Sequence, residues 1–163
     1  MRRQSETDDY GKECAVRALI ATDGTPVSLD ATRSAAVLFP KDVEFVLVYV
    51  KPTRDFSGEY AGGFEGPLMS PEEAENINRG AEVEADAALA ATAAVLGAMP
   101  VEQRVAEGSP GEMIVSLAAE LDVDVVVVGS HGRGAFAAAL LGSVSRHVVH
   151  HCHRPVLVVA PTE

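Results

Sequence analysis

The sequence predicts an α/β protein with three layers, a doubly wound parallel sheet flanked by helices on both faces. Three observations carry that expectation. Short runs of Val, Leu and Ile without polar alternation, such as Val123 to Val128 and Pro155 to Val159, read as strands buried on both faces. Longer segments with apolar residues near helical period lie between such runs. Thr25-Pro26, Ser70-Pro71 and Ser109-Pro110 each pair a capping hydroxyl with a proline suited to the first helical position. Strands joined by helical crossovers run parallel, and the crossovers are right-handed.

In chain order, Cys14 to Ala21 is the first strand, largely apolar as a central strand requires. Thr25 caps a helix that runs from Pro26 to about Leu38 and stops near Pro40. Glu44 to Val50, with Phe45 and Tyr49 among valines, is the second strand. Lys51 to Met69 holds four Gly among Pro, Ser and Asp. It exceeds the usual ceiling of about 12–15 residues for a plain connection and reads as a flexible insertion or lid ending at residue 70. Ser70-Pro71-Glu72-Glu73 is a capping box opening the second helix. Its apolar stripe is Ala74, Ile77, Ala81, Ala85, Ala88 and Val95, and it ends near Gly97.

Val101, Gln103 and Val105 alternate with Glu102 and Arg104, which predicts a half-exposed third strand. Ser109-Pro110-Gly111-Glu112 repeats the capping box, followed by Ile114, Leu117, Ala118 and Leu121 on one helix face. The two valine-rich runs are the fourth and fifth strands, with a helix from about Ser143 to Cys152 between them.

A chain of 163 residues fits one domain, expected over residues 14–163 behind a polar, disordered tail of residues 1–13. The apolar runs are too short to cross a bilayer, so no membrane partner is expected. Met1-Arg2-Arg3 has no apolar segment behind it, and Cys14 and Cys152 are too few for a disulfide framework. A reduced, cytoplasmic setting is the default expectation. A formal net charge of −11 opposes nucleic-acid binding, because repulsion from phosphates dominates at long range.

Within this acidic chain, no carboxylate occurs between Asp124 and Glu163, whereas Arg133, Arg146, Arg154 and all five histidines do. The segment holds Gly129-Ser130-His131-Gly132 after the fourth strand and Gly142-Ser143-Val144-Ser145 at a helix start. The first N–H groups of a helix lack internal partners and carry the positive end of its dipole, so they attract anions. The helices starting at Ser70 and Ser109 place Glu73 and Glu112 three residues after the cap, whereas the last helix has Arg146 there. Its start is therefore open to an external anion, with the Ser143 and Ser145 hydroxyls as further donors. Gly129 and Gly132 allow close backbone approach and positive φ. In such sheets ligands lie outside the carboxyl ends of strands where the winding reverses. If the first and fourth strands are neighbours, Asp23 faces the glycine turn and suits ribose hydroxyls or a base edge.

Other chemistries fit less well. No G-x-x-x-x-G-K-[ST] occurs, and Gly132-Arg133-Gly134-Ala135-Phe136-Ala137 matches G-x-G-x-x-A without the acid that would hold a ribose. His147 and His151 have a zinc-like i,i+4 spacing but no third ligand. No G-x-S-x-G elbow is present, so no catalytic residue is assigned.

The spacing Gly129-x2-Gly132-x9-Gly142-Ser143 resembles the signature of the ATP-binding branch of the universal stress proteins. The likeness extends from the Asp-Gly after strand one to the closing Arg-Pro-Val-Leu-Val-Val. It implies a Rossmann-like fold of the adenine nucleotide alpha hydrolase type, with strand order 3-2-1-4-5. It also implies that Ala21, Thr22 and Asp23 flank adenine and ribose and that Val50 meets the base. Val128 and Gly129 would line the ribose side, and Gly132 and Arg133 would approach the phosphates. Gly142, Ser143, Val144 and Ser145 would close on those phosphates. ATP is the implied ligand, with Mg2+ held mainly by the phosphates rather than by protein. A homodimer through Val156 to Val159 is implied as well. A weak ATPase and a nucleotide-free dimerisation module are the competing readings, and hydrolysis, if any, is expected to be slow.

Overall fold

The computed structural model describes residues 16–53, 70–131 and 141–160. The expected tail, Cys14, the 54–69 part of the expected loop, Gly132 and Arg133 lie outside the described residues. Among the described residues the order is β1 (Arg17–Ala21), α1 (Pro26–Leu38), β2 (Glu44–Lys51), α2 (Pro71–Leu96), β3 (Val101–Glu107), α3 (Pro110–Glu120), β4 (Val125–Gly129), α4 (Ser143–His151) and β5 (Val156–Val159). The strands form one parallel sheet in the order β3-β2-β1-β4-β5.

Alternation along the central strands sorts the core into two layers. Ala18, Ile20, Phe45, Leu47 and Val127 meet α1 and α2, where Ala31, Ala35, Ala85 and Ala88 let the helices approach closely. Leu19, Val46, Val48, Val126 and Val128 point the other way, onto Ile114 and Ala118 of α3 and Val148 of α4. A one-residue slip would swap the layers, and because both faces are covered the register is strongly fixed. The pairs Ala18↔Phe45 and Ala18↔Val125 place β1 between β2 and β4.

Several expected boundaries move by a residue or two. β4 begins at Val125 rather than Val123, because Asp124 takes both partners of Arg17: its N–H bonds the Arg17 carbonyl at 2.8 Å, and its carboxylate accepts the Arg17 N–H at 2.8 Å. A side chain thus replaces one rung of the ladder, while Val123 stays fully buried. α4 stops at His151, since Cys152 turns to extended backbone.

The capping boxes divide. Ser70 and Glu73 make theirs in full, with Glu73 N–H 3.2 Å from Ser70 Oγ and Ser70 N–H 2.8 Å from Glu73 Oε2. Ser109 makes no side-chain cap bond, contrary to the sequence expectation. Its ψ is 118°, against 152° at Ser70 and 158° at Thr25. Glu112 still lies in the first turn and supplies the negative charge.

Candidate functional site

The winding of the sheet reverses between β1 and β4, with β2 and β3 to one side and β5 to the other. This is the switch point where open α/β sheets bind ligands. Three segments end there: Thr22 to Thr25 after β1, Ser130 and His131 after β4, and the start of α4.

After β1 the chain turns sharply. The Thr22 N–H bonds the Val48 carbonyl of β2 at 2.9 Å, holding the turn against the sheet. Asp23 Oδ1 accepts the Thr25 N–H at 3.0 Å and the Thr25 hydroxyl at 2.6 Å. Thr25 in turn caps α1 by accepting the Ser28 N–H. Gly24 has φ of +74°, a conformation few side chains tolerate.

After β4, the Ser130 carbonyl receives the Gly142 N–H at 2.7 Å and the Ser145 hydroxyl at 2.9 Å. The Ser130 N–H reaches the Val159 carbonyl at 2.7 Å. Ser130 is thereby the knot that joins β4, β5 and the start of α4. Ser130 Oγ also lies 2.9 Å from His131 Nδ1.

The N-terminus of α4 differs from the other three. Thr25 caps α1, Ser70 and Glu73 cap α2, and Glu112 sits in the first turn of α3. At α4 the cap position is Gly142, with no side-chain cap bond and no acid in the first turn. Ser143 is exposed there, and Gly142 and Val144 are half-buried. The N–H groups at these first positions have no partner within the helix.

The expected residues fall into three groups. Ala21, Val50 and Val144 pack against the apolar layer that contains Val128, on the α3–α4 face. Thr22 points to the opposite face, buried against α1 and α2. Asp23, Gly129, Gly142 and Ser143 line the ends of the elements between them.

Two residue roles need correction. Gly129 does not adopt positive φ; a Cβ there would stand 3.0 Å from Val27 Cγ1, so the position is packed tightly against α1. Ser145 is 3% exposed, and its hydroxyl donates to the Ser130 and Gly142 carbonyls, so it is a structural tie and not a spare donor.

On the far side of α4, the His147 and His151 rings stack with centroids 4.1 Å apart, and His151 Nδ1 lies 2.8 Å from the His147 carbonyl oxygen. No cluster of three or more potential metal-binding side chains occurs among the described residues. A separate cleft of 170 Å³ lies over the ends of β2 and β3, lined by Tyr49, Lys51, Glu107 and, from α2, Asn78, Ala81 and Glu84. It flanks the switch point without including it.

Five parallel strands in this order, wound in both directions with helices on each face, define a Rossmann-like α/β protein. The universal stress protein family model matches residues 16–160, and the chain belongs to that family. Universal stress protein MJ0531 of Methanocaldococcus jannaschii is 31% identical over 153 aligned residues, covering 91% of this chain and 84% of that protein. The solved structure of MJ0577 has a TM-score of 0.61 at 26% identity, covering 91% of this chain and 97% of that one. A universal stress protein solved in complex with cAMP has a TM-score of 0.56 at 24% identity, covering 91% of this chain and 98% of that one.

Proposed function

We propose that this chain is an ATP-binding universal stress protein, a cytoplasmic stress-response and signalling module whose nucleotide occupancy biases its conformation and dimer contacts. The observation that carries this reading is the α4 start: among the four described helices, it alone has neither a capping side chain nor a first-turn acid, and it opens at the switch point. Phosphates gain there from N–H groups that lack an intrahelical partner and from the helix dipole. Ala21 and Val50, half-buried at their strand ends, suit a purine, and Asp23 suits ribose hydroxyls. The relative in complex with cAMP supports an adenine nucleotide. Gly132 and Arg133 are assigned to the phosphates by their motif. Mg2+ would be held mainly by the phosphates, and it would neutralise the charge that this acidic chain otherwise repels.

The dimer is assigned to β5. Val156 to Val159 are all half-buried and form a sheet edge, which a second copy would cover. No residue of the site is assigned as a general base, and hydrolysis is expected to be slow at most.

Ser143→Asp tests the site with two readouts that move in opposite directions. A carboxylate at the first position of α4 complements the dipole and should raise stability by about 0.3–1 kcal/mol in chemical denaturation. The same charge repels phosphate, and calorimetric ATP affinity should fall at least tenfold. Unchanged ATP affinity in a folded Ser143→Asp protein would remove α4 from the site.

A further inference from the structure

The turn that carries Asp23 is held from behind by a chain of buried hydroxyls. Thr22, Ser28 and Thr92 are 6%, 4% and 0% exposed. Each hydroxyl has a single proton. Thr92 Oγ1 donates to the Ala88 carbonyl at 2.7 Å, and Ser28 Oγ donates to the Thr25 carbonyl at 2.9 Å. Carbonyls only accept, so both protons are committed. Thr22 Oγ1 receives the Gly24 N–H at 3.2 Å. Its own proton faces two acceptors, Ser28 Oγ at 3.1 Å and Thr92 Oγ1 at 2.8 Å. The chain therefore links the Gly24 amide through Thr22 and Thr92 to the backbone of α2. Gly24 also lies directly on that helix: a Cβ there would stand 2.9 Å from Ala88 Cβ.

We propose that Thr92 is a positioning residue for nucleotide binding, which sets the Thr22-Asp23-Gly24 turn and so aims the Asp23 carboxylate at the ribose. This rests on the nucleotide reading above. α2 supplies no residue to that ligand site, yet it fixes the turn on both sides of Asp23. The phosphate end of the site hangs instead on Ser130, Gly142 and Ser145, which this hydroxyl chain does not touch.

Thr92→Val keeps the side-chain volume and removes the hydroxyl. Thr32→Val is the control, since Thr32 is equally buried and donates to the Ser28 carbonyl at 2.9 Å instead. Amide exchange at Gly24 is read in the ligand-free protein, and calorimetry compares ATP with inorganic tripolyphosphate. Thr92→Val should speed Gly24 exchange and weaken ATP roughly three- to tenfold, the worth of one net hydrogen bond, with tripolyphosphate affinity unchanged. Thr92→Ser should restore both, and Thr32→Val should change neither. Unaltered Gly24 exchange in Thr92→Val, or equal losses for ATP and tripolyphosphate, would overturn the proposal. Faster Gly24 exchange in a protein whose wild type binds no ATP would overturn the nucleotide reading and Thr92's binding role, leaving Thr92 as a purely structural tie.

Discussion

Gly24 concentrates the demands of the site in one residue. Its φ of +74° and its contact with Ala88 each exclude a side chain, and they act together. Gly24→Ala should therefore destabilise the fold by about 1–3 kcal/mol, the range for an overpacked contact, because backbone strain adds to the clash. Urea denaturation should show a lower midpoint with an unchanged slope. At this scale the sequence was only partly legible. Asp23 and Gly24 stood out because an Asp-Gly at a strand end is conspicuous. The partner of Thr22 did not, since Thr92 lies seventy residues away and sits within an alanine-rich helix face where only its hydroxyl was a signal. Of the two reasons given for Gly129, positive φ does not hold, because a glycine packed tightly against Val27 looks the same in sequence as one at positive φ.

The helix starts separate two serines that look alike. Ser70→Ala removes a formed cap and should cost about 1 kcal/mol, whereas Ser109→Ala removes no side-chain cap bond and should be close to neutral. Paired denaturation curves at neutral pH test this contrast. The Ser70 backbone N–H and hydroxyl hold the Glu73 carboxyl below its ordinary value, and Arg104, with Arg17 behind it, does the same for Glu102. A depressed carboxylate contributes stability above its unfolded pKa and loses it as pH falls through the lower folded value. Stability should accordingly decline on the acid side of the ordinary value of 4.5, and Ser70→Ala should make that decline shallower. Denaturation midpoints followed from neutral to acid pH would show it. Every described helix and strand was visible as an element, since apolar period and Pro-marked starts are local. The boundary at β4 was not, because Asp124 pairs with Arg17 across the sheet.

Taken whole, the molecule is a sheet with two unlike edges. β3 carries the Glu102–Arg104 ion pair at 2.5 Å, while β5 is short and apolar. Sedimentation should therefore give twice the 17.1 kDa chain mass, and Val158→Lys should shift it toward monomer. The parallel sheet followed from the alternation of strands and helices, but its order did not. Placing β1 beside β4 depended on the glycine spacing and the family it resembles, because neighbours in a doubly wound sheet need not be neighbours in sequence. The central claim is that nucleotide binds at this switch point. It is tested most directly by backbone amide shifts on adding ATP and magnesium to the full chain. The largest shifts should fall on Thr22 to Gly24, Gly129 to His131 and Gly142 to Ser145. Shifts confined to Tyr49, Lys51, Asn78, Glu84 and Glu107, or none at all, would contradict it.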